Sequence, residues 1–281
     1  MSTLTEAETS RYATVNGLRL HYNDAGRSEA VVMLHGGGPG ASGWSNFYRN
    51  VDALVLAGYR VILLDQPGFN KSDAVTIDGP RDAFNAQALL GLLDCLGVAS
   101  AHVVGNSLGG ATAIAFAIDH PDRLKRLILI GAGAGYHSLF QPLPTEGMKL
   151  FFALYRNPTR ENFQRLMEAF VFDARTLTDE LLEQRYQNIT SNLAHLSNFV
   201  TSTEASKGRV VQDQTFRLAE IRAETLVAWG RDDRFVPLDH ALRLVTLMPN
   251  AELHVFGQCG HWGQWEQASK FNRLLLEFLG R

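Results

Sequence analysis

The chain has 281 residues, a net charge of −3 at pH 7 and 46% hydrophobic residues, which is ordinary globular composition. It has no long basic run, which argues against a nucleic-acid partner. No apolar stretch reaches the about 20 residues of a membrane span, and the polar segment 1–10 lacks the features of a secretory signal. Two cysteines are too few for a disulfide scaffold and suit a reducing compartment. Together these features predict a cytoplasmic protein that contacts no membrane.

Apolar runs typical of strands alternate along the chain with helical patterns. The predicted strands are 31–34, 59–64, 101–104, 124–130, 225–229 and 252–256. Helices are predicted over 44–56, 81–96 and 108–118, and an amphipathic helix follows each of the last two strands. This alternation predicts an α/β fold with a mostly parallel central sheet and helices on both of its faces.

The alternation stops between residues 131 and 219. Four helices are predicted there, near 144–155, 159–170, 178–189 and 194–205, and Thr159 and Thr178 are predicted helix starts. We interpret 134–219 as a helical cap over the sheet edge, with 1–133 and 220–281 as the core. The alternative is a separate helical domain, although no linker composition sets it apart.

The segment Gly105-Asn106-Ser107-Leu108-Gly109 follows a predicted strand and opens a predicted helix. The pattern G-x-S-x-G in that context is typical of a nucleophile elbow. Glycines let the chain turn sharply, so Ser107 Oγ would stand above the sheet, where the helix N-terminus supports a developing oxyanion. The alternative is a glycine-rich turn with an inactive serine.

A serine hydroxyl needs a base within hydrogen-bond reach. His261 is the candidate base because it lies after the last predicted strand, at the carboxyl end of the sheet. Asp233 is the candidate acid in the spacing G-x-x-D-x-x-V-P, and Asp232 is the alternative. The chain order Ser107, Asp233, His261 predicts an α/β-hydrolase fold.

The segment His35-Gly36-Gly37-Gly38-Pro39-Gly40 follows the strand 31–34. Residues without side chains let backbone N–H groups approach a carbonyl oxygen. We therefore expect an oxyanion hole made by the Leu108 N–H with that of Gly37 or Gly38. The alternative is a flexible surface loop, and His35 is interpreted as a support for this loop.

The whole chain resembles the meta-cleavage product hydrolases, which cleave carbon–carbon bonds in bacterial aromatic degradation. The segments that carry this resemblance are 35–41, 105–110, 229–238 and 259–266, with cap segments 144–147 and 170–173. The resemblance implies the α/β-hydrolase fold with its cap after the sixth strand. It also implies an anionic dienoate substrate and a homodimer or higher homo-oligomer. We expect no metal or organic cofactor, because the sequence has no ligand-spaced His/Cys cluster and no nucleotide fingerprint.

The resemblance assigns substrate-binding roles to further residues. Arg185 would clamp the substrate carboxylate, since an arginine fork binds a carboxylate through two hydrogen bonds. Asn106 and Trp262 would be polar partners of the dienol end. The apolar pocket for the distal group would be lined by Phe170, Phe235 and Val236. Without the resemblance, Arg185 would be interpreted as a solvated helix residue.

The implied reaction begins with ketonisation of the dienol, and we expect His261 to be the proton shuttle for this step. Ser107 would then attack the distal ketone or activate water, and the sequence leaves both possibilities open. It also leaves open whether the distal group is alkyl, carboxyethyl or phenyl. A carboxylesterase and a non-catalytic ligand-binding protein of the same fold are the alternative functions.

Overall fold

In the computed structural model of the chain, which describes residues 4–133 and 138–281, one sheet of eight strands forms the centre of the molecule. The strands are β1 (Ser10–Val15), β2 (Leu18–Ala25), β3 (Ala30–Leu34), β4 (Arg60–Leu64), β5 (Ala101–Asn106), β6 (Leu124–Ile130), β7 (Thr225–Gly230) and β8 (Ala251–Phe256). Their order across the sheet is β1-β2-β4-β3-β5-β6-β7-β8. β1 and β2 pair antiparallel, as do β2 and β4, and all other neighbours are parallel.

From β3 onward the described α-helices alternate with the strands, apart from an insertion between β6 and β7. They are α1 (Glu6–Thr9), α2 (Gly43–Leu56), α3 (Arg81–Cys95), α4 (Leu108–Asp119), α5 (Glu146–Arg156), α6 (Arg160–Phe170), α7 (Asp179–Ser191), α8 (Leu193–Ala205), α9 (Asp239–Leu247), α10 (Gly263–Glu266) and α11 (Ala268–Leu279). Every predicted strand is present, and the predicted α/β architecture is confirmed. No helix in the described ranges is long and apolar enough to cross a bilayer.

The sheet is covered on both faces. Helices α3, α4 and α9 pack on one face, and α2 and α11 pack on the other. The inner parallel strands are therefore largely apolar, and all residues of β3 are buried. By contrast, only one of the six residues of the edge strand β1 is buried, so β1 lacks the continuous apolar run that predicts the inner strands.

The insertion between β6 and β7 contains α5, α6, α7 and α8. As predicted, the Thr159 side chain accepts a hydrogen bond from the Asn162 N–H, and that of Thr178 accepts one from the Leu181 N–H, so both residues are helix N-caps. The inner faces of these helices join one apolar cluster with Trp262 and other residues of the core. Residues 134–137, at the start of the predicted cap, lie outside the described part of the chain.

Candidate active site

Ser107 lies at the sharp turn between β5 and α4. Its backbone has φ 55° and ψ −115°, a conformation that strains a residue with a side chain and that is concentrated at functional sites. The turn is held because the Ser107 N–H donates to Ile130 O at 2.9 Å and the Ser107 carbonyl accepts from the Ala111 N–H at 3.0 Å. Neighbouring backbone therefore stabilises the strained turn that carries Ser107.

The glycines on either side of Ser107 make room for the close crossing of strand and helix. A Cβ atom on Gly105 would lie 2.3 Å from Gly109 O, and a Cβ atom on Gly109 would lie 2.1 Å from Leu34 O. Any larger residue would force the backbone apart at both positions. The two glycines of the motif thus serve close packing, whereas the positive φ angle belongs to Ser107 itself.

His261 follows β8 and is bonded to Asp233, which follows β7. Its Nδ1 lies 2.7 Å from Asp233 Oδ2, and both side chains are 1% exposed. The other carboxylate oxygen, Oδ1, accepts hydrogen bonds from the N–H groups of Phe235 at 2.7 Å and Val236 at 3.0 Å. The carboxylate is therefore fixed, and it fixes the imidazole in turn. His261 Nε2 is buried and has no hydrogen-bond partner among the described residues, which leaves it available to a reacting group.

Asp232, the alternative acid, makes different contacts. Its carboxylate accepts from the Cys259 N–H at 3.3 Å and lies beside the Arg231 guanidinium, and its side chain is 29% exposed. The hydrogen bond to His261 belongs to Asp233. After β7, Asp233 is thus buried against His261, whereas its neighbour Asp232 is partly exposed.

The loop that carries His261 is tied to the insertion by backbone hydrogen bonds. The His261 N–H donates to Phe170 O at 2.8 Å. Glu266 accepts from the Gly260 N–H at 2.6 Å through one carboxylate oxygen, and from the two N–H groups of segment 172–173 at 2.8 and 3.0 Å through the other. Because hydrogen bonds to a charged acceptor are strong, Glu266 holds the end of α6 against the histidine loop.

A cavity lies between the sheet and the insertion. The core lines it with Gly36, Gly37, Gly38, Asn46, Asn106, Ser107, Leu108, Gly133, Phe235, Val236, His261 and Trp262. The insertion lines it with Met148, Phe151, Phe170, Arg185, Phe199, Val210 and Val211. Every site residue predicted from the sequence lines this cavity except Asp233, which contacts His261 from behind.

The glycine loop after β3 forms one wall beside Ser107. The backbone N–H groups of Gly37, Gly38 and Leu108 donate to no other backbone group in the described chain, so they are available to an oxygen atom in the cavity. His35 holds the loop from below: its Nδ1 donates to Gly36 O at 2.7 Å, and its Nε2 accepts from the Gln66 N–H at 3.0 Å. Burial lowers the pKa of His35 to about 4, which keeps the ring neutral in this role.

Arg185 is buried, at 1% exposure, which shows that its interpretation as a solvated helix residue is wrong. Its Nη1 donates to Asn46 Oδ1 at 3.3 Å and its Nη2 to Pro39 O at 3.4 Å, while Nε has no partner among the described residues. No carboxylate of the described chain forms an ion pair with it. Burial lowers the pKa of Arg185 to about 9, so the side chain still carries its charge at neutral pH. A buried charge held only by neutral acceptors is costly unless an anion joins it.

The amides of two asparagines link Arg185 to the histidine loop. Asn46 Nδ2 donates to Asn106 Oδ1 at 3.0 Å, and Asn106 Nδ2 donates to Ile130 O at 3.1 Å and to His261 O at 3.4 Å. Since Asn46 Oδ1 also accepts from Arg185, one polar network spans this end of the cavity. Asn106 was predicted as a site residue, whereas Asn46 was missed.

Three aromatic rings stack along the cavity wall. The Phe170 ring lies 4.3 Å from that of Phe235 and 4.4 Å from that of Trp262, each within 9° of parallel. The Arg185 guanidinium carbon lies 4.8 Å from the Trp262 ring centroid, within cation–π range. This stack therefore borders both the histidine and the arginine.

Further lining residues were missed by the sequence analysis: Met148, Phe151, Phe199, Val210 and Val211. A signal for Arg185 itself was present in the sequence. Leu181, Arg185 and Ile189 are all buried and lie four residues apart on α7, so the arginine belongs to the inward stripe of the helix. No group of His, Cys, Asp and Glu side chains in residues 4–133 and 138–281 is arranged to hold a metal ion.

The comparison with known proteins agrees with this architecture. The family described as alpha/beta hydrolase fold matches residues 29–268, which defines the class of the protein. A solved structure of a meta-cleavage product hydrolase from Pseudomonas fluorescens IP01, a serine-to-alanine mutant complexed with acetates, is 33% identical to the chain. It superimposes with a TM-score of 0.86, and the match covers 98% of each chain.

Curated relatives narrow the class further. A 2-hydroxy-6-oxononadienedioate/2-hydroxy-6-oxononatrienedioate hydrolase of Burkholderia vietnamiensis is 55% identical over 99% of this chain and 98% of its own. A 2-hydroxy-6-oxo-6-phenylhexa-2,4-dienoate hydrolase of Burkholderia cepacia is 54% identical over 99% of each. The chain therefore belongs to the meta-cleavage product hydrolases, enzymes of the α/β-hydrolase fold that hydrolyse carbon–carbon bonds. The predicted family and reaction class are thus confirmed.

Proposed function

We propose that the enzyme hydrolyses the carbon–carbon bond beside the distal ketone of a 2-hydroxy-6-oxohexa-2,4-dienoate. The products are a 2-hydroxypenta-2,4-dienoate and a carboxylic acid. The observation that carries this proposal is the pairing, in one cavity, of Ser107 and His261 with the buried charge of Arg185. A simple ester has no carboxylate for that charge, whereas every substrate of this class has one.

Arg185 binds the substrate carboxylate in this proposal. Its guanidinium makes only two long hydrogen bonds, to neutral oxygens, and keeps Nε unpaired. An incoming carboxylate would neutralise the charge and accept stronger, charge-assisted hydrogen bonds. Asn106 and Trp262 border the same end of the cavity, where they would contact the 2-hydroxydienoate portion. The distal ketone would then lie toward Ser107.

His261 moves protons in both stages of the proposed reaction. In the first stage the 2-hydroxyl proton is lost and a proton is delivered to C5, which converts the dienol to a 2,6-diketone. The free Nε2 of His261 is the group for this transfer, because Asp233 holds the other ring nitrogen. Ketonisation prepares the bond for cleavage, since the electron pair released at C5 can then delocalise into the 2-oxo group.

Hydrolysis follows at the distal ketone. Ser107 Oγ, deprotonated by His261, adds to C6, and the N–H groups of Leu108 and of Gly37 or Gly38 hold the resulting oxyanion. Collapse of this intermediate breaks the C5–C6 bond and releases the dienolate, which takes up the proton. Water then adds to the Ser107 ester, again with His261 as the base, and releases the carboxylic acid. Overall, one water molecule is consumed for each bond broken.

We further propose that the distal group is uncharged. The named relatives do not indicate which distal group is preferred. The nonadienedioate hydrolase and the phenylhexadienoate hydrolase are 55% and 54% identical to the chain. The cavity lining does favour one: Phe151, Phe199 and Val211, like the other lining residues of the insertion apart from Arg185, are apolar. A second carboxylate would be buried there without a cation, at a cost of several kcal/mol in an apolar site. A phenyl or alkyl group would gain from the same contacts.

The experiment is a comparison of three dienoates, with phenyl, methyl and carboxyethyl distal groups, by loss of their visible absorbance. p-Nitrophenyl acetate serves as the ester reference. We expect kcat/KM for the phenyl and methyl dienoates to exceed that for the carboxyethyl dienoate by about 100-fold, the equivalent of about 3 kcal/mol. Preference for the carboxyethyl substrate would reject the uncharged distal group alone. Ester turnover with unchanged dienoates would reject the proposed function.

The organisation of the molecule completes the proposal. We propose that 134–219 act as a cap on a core formed by 1–133 and 220–281, and that the enzyme works in the cytoplasm as a homo-oligomer. Both cysteines are free thiols, which suits a reducing compartment. The oligomeric state is tested by light scattering of the purified protein, where a monomer mass would reject it.

A further inference from the structure

Tyr155 on α5 makes a direct hydrogen bond to the glycine loop beside Ser107. Its hydroxyl donates to Gly37 O at 2.6 Å, across the boundary between the inserted helices and the loop after β3. The tyrosine does not itself line the cavity. Tyr155 therefore contacts the loop on the side that faces away from the cavity.

The hydrogen bond from Tyr155 fixes the peptide group between Gly37 and Gly38. A peptide group is planar, so the direction of the Gly37 carbonyl fixes the opposite direction of the Gly38 N–H. His35 fixes the preceding peptide in the same way through Gly36 O. Consecutive glycines have little rotational restriction of their own. Gly37 is thus held on its N-terminal side by the core and on its C-terminal side by Tyr155.

Tyr155 is itself held in one position. Its ring stacks on that of Phe199 at 4.3 Å and 18°, and the Phe151 ring lies 4.9 Å away. The residue is buried, at 5% exposure. Burial raises the pKa of the Tyr155 hydroxyl, which keeps it protonated and able to donate. The Tyr155 hydroxyl is therefore a fixed donor that stays protonated, and such a donor can orient a flexible loop.

We propose that Tyr155 is a positioning residue through which the cap orients the Gly37–Gly38 peptide for the oxyanion of the hydrolytic step. The inference rests on the proposed function, because that oxyanion forms when Ser107 attacks the ketone. Ketonisation needs His261 but no charge on the distal oxygen. The Tyr155 hydroxyl therefore acts on one of the two chemical stages and leaves the other alone.

The test is Tyr155→Phe, which removes only the hydroxyl, followed by single-turnover kinetics with the preferred dienoate. Loss of an entire oxyanion donor lowers kcat by about 100-fold or more, so loss of its orienting bond should slow hydrolysis by about tenfold. Ketonisation and KM should change less than twofold. Turnover of p-nitrophenyl acetate should fall about tenfold too, because it needs the same oxyanion hole.

Tyr186→Phe is the matched control. Tyr186 is a partly buried tyrosine on α7 whose ring packs 5.3 Å from that of Phe163 and which does not line the cavity. This variant should retain both rates. A Ser107→Ala/Tyr155→Phe double variant should bind the dienoate as tightly as Ser107→Ala, since ground-state binding does not use the oxyanion.

Two results would overturn the inference. One is an unchanged hydrolysis rate in Tyr155→Phe, and the other is an equal fall in ketonisation and hydrolysis, which would indicate a general disturbance of the cap. Failure of the proposed function is a separate result, because wild-type protein would then leave every dienoate intact. The ester rates of the two tyrosine variants would still test Tyr155 in that case.

Discussion

The two sides of the cavity are built differently. On the sheet side, Ser107, His261 and Asp233 are held by short hydrogen bonds between neighbouring loops, including the 2.7 Å contact between the histidine and the aspartate. On the side of the inserted helices, the hydrogen bonds of Arg185 are long, at 3.3 and 3.4 Å, and the other lining residues of the insertion are apolar. The side chains of the sheet side are therefore held in place without a ligand, whereas the other side has a buried charge that no carboxylate of the described chain neutralises.

This difference indicates that the residues for the reaction and the residues for substrate selectivity lie on opposite sides of the cavity. A nucleophile, a base and an oxyanion hole can act on any activated carbonyl group, so they define a hydrolase without defining its substrate. In the proposed function, the buried arginine and the apolar wall recognise a molecule with one anionic end and one uncharged end. Changes on the sheet side should thus affect all substrates, and changes on the cap side should affect them selectively.

The largest expected effect is that of Ser107→Ala. Removing the nucleophile should lower kcat by about 1000-fold or more for the dienoate and the ester alike. The variant should still bind the dienoate, measured by the change in its absorbance on titration, because Arg185 remains. Substantial turnover of either substrate by the variant would contradict the nucleophilic role of Ser107.

Arg185→Gln should separate the two sides of the cavity. Removing the positive charge should lower kcat/KM for the dienoate by about 100-fold, since a buried charge pair contributes about 3 kcal/mol. Turnover of p-nitrophenyl acetate should change less than threefold. Arg160→Gln on α6, where the side chain is 53% exposed, is the control and should alter neither rate. Equal losses on both substrates in Arg185→Gln would reject the carboxylate clamp.

The smallest expected effect concerns the contact between α3 and the segment that returns from the inserted helices. The quantity affected is the free energy of unfolding. Asp82 on α3 is buried, and its carboxylate accepts from the Gln212 N–H on the segment that returns from α8, at 3.2 Å. Burial raises the pKa of Asp82 to about 6 from an ordinary value of 3.8. Its contribution to stability is therefore fully present below pH 3.8 and is lost as pH rises through 6.

Asp82→Asn removes that titration. Relative to wild type, the variant should gain up to about 3 kcal/mol in the free energy of unfolding between pH 4 and pH 7, because the pKa of Asp82 is 3.8 in the unfolded chain and about 6 in the folded protein. Urea unfolding at several pH values measures the difference, while activity at neutral pH should be retained. A difference that is independent of pH would show that Asp82 ionises normally in the folded protein.

The sequence by itself determined the features that depend on neighbouring residues. Parallel strands buried on both faces must be apolar runs, and the elbow around Ser107 requires glycines at fixed positions, so both are visible without a structure. The N-caps Thr159 and Thr178 are local for the same reason. The β1–β2 hairpin was not predicted, although the dipeptide Asn16-Gly17 is a local turn signal, and both residues have positive φ angles in the structure.

Only the tertiary structure decided the features that join distant parts of the chain. Asp233, and not its neighbour Asp232, reaches His261 because of the way two loops fold back. Arg185 is buried because α7 lies over the glycine loop, and the contact of Tyr155 with Gly37 spans 118 residues. Burial and hydrogen-bond partners are properties of the assembled surfaces. A local pattern can therefore predict which side chains react, but not which of them are left unpaired around the substrate.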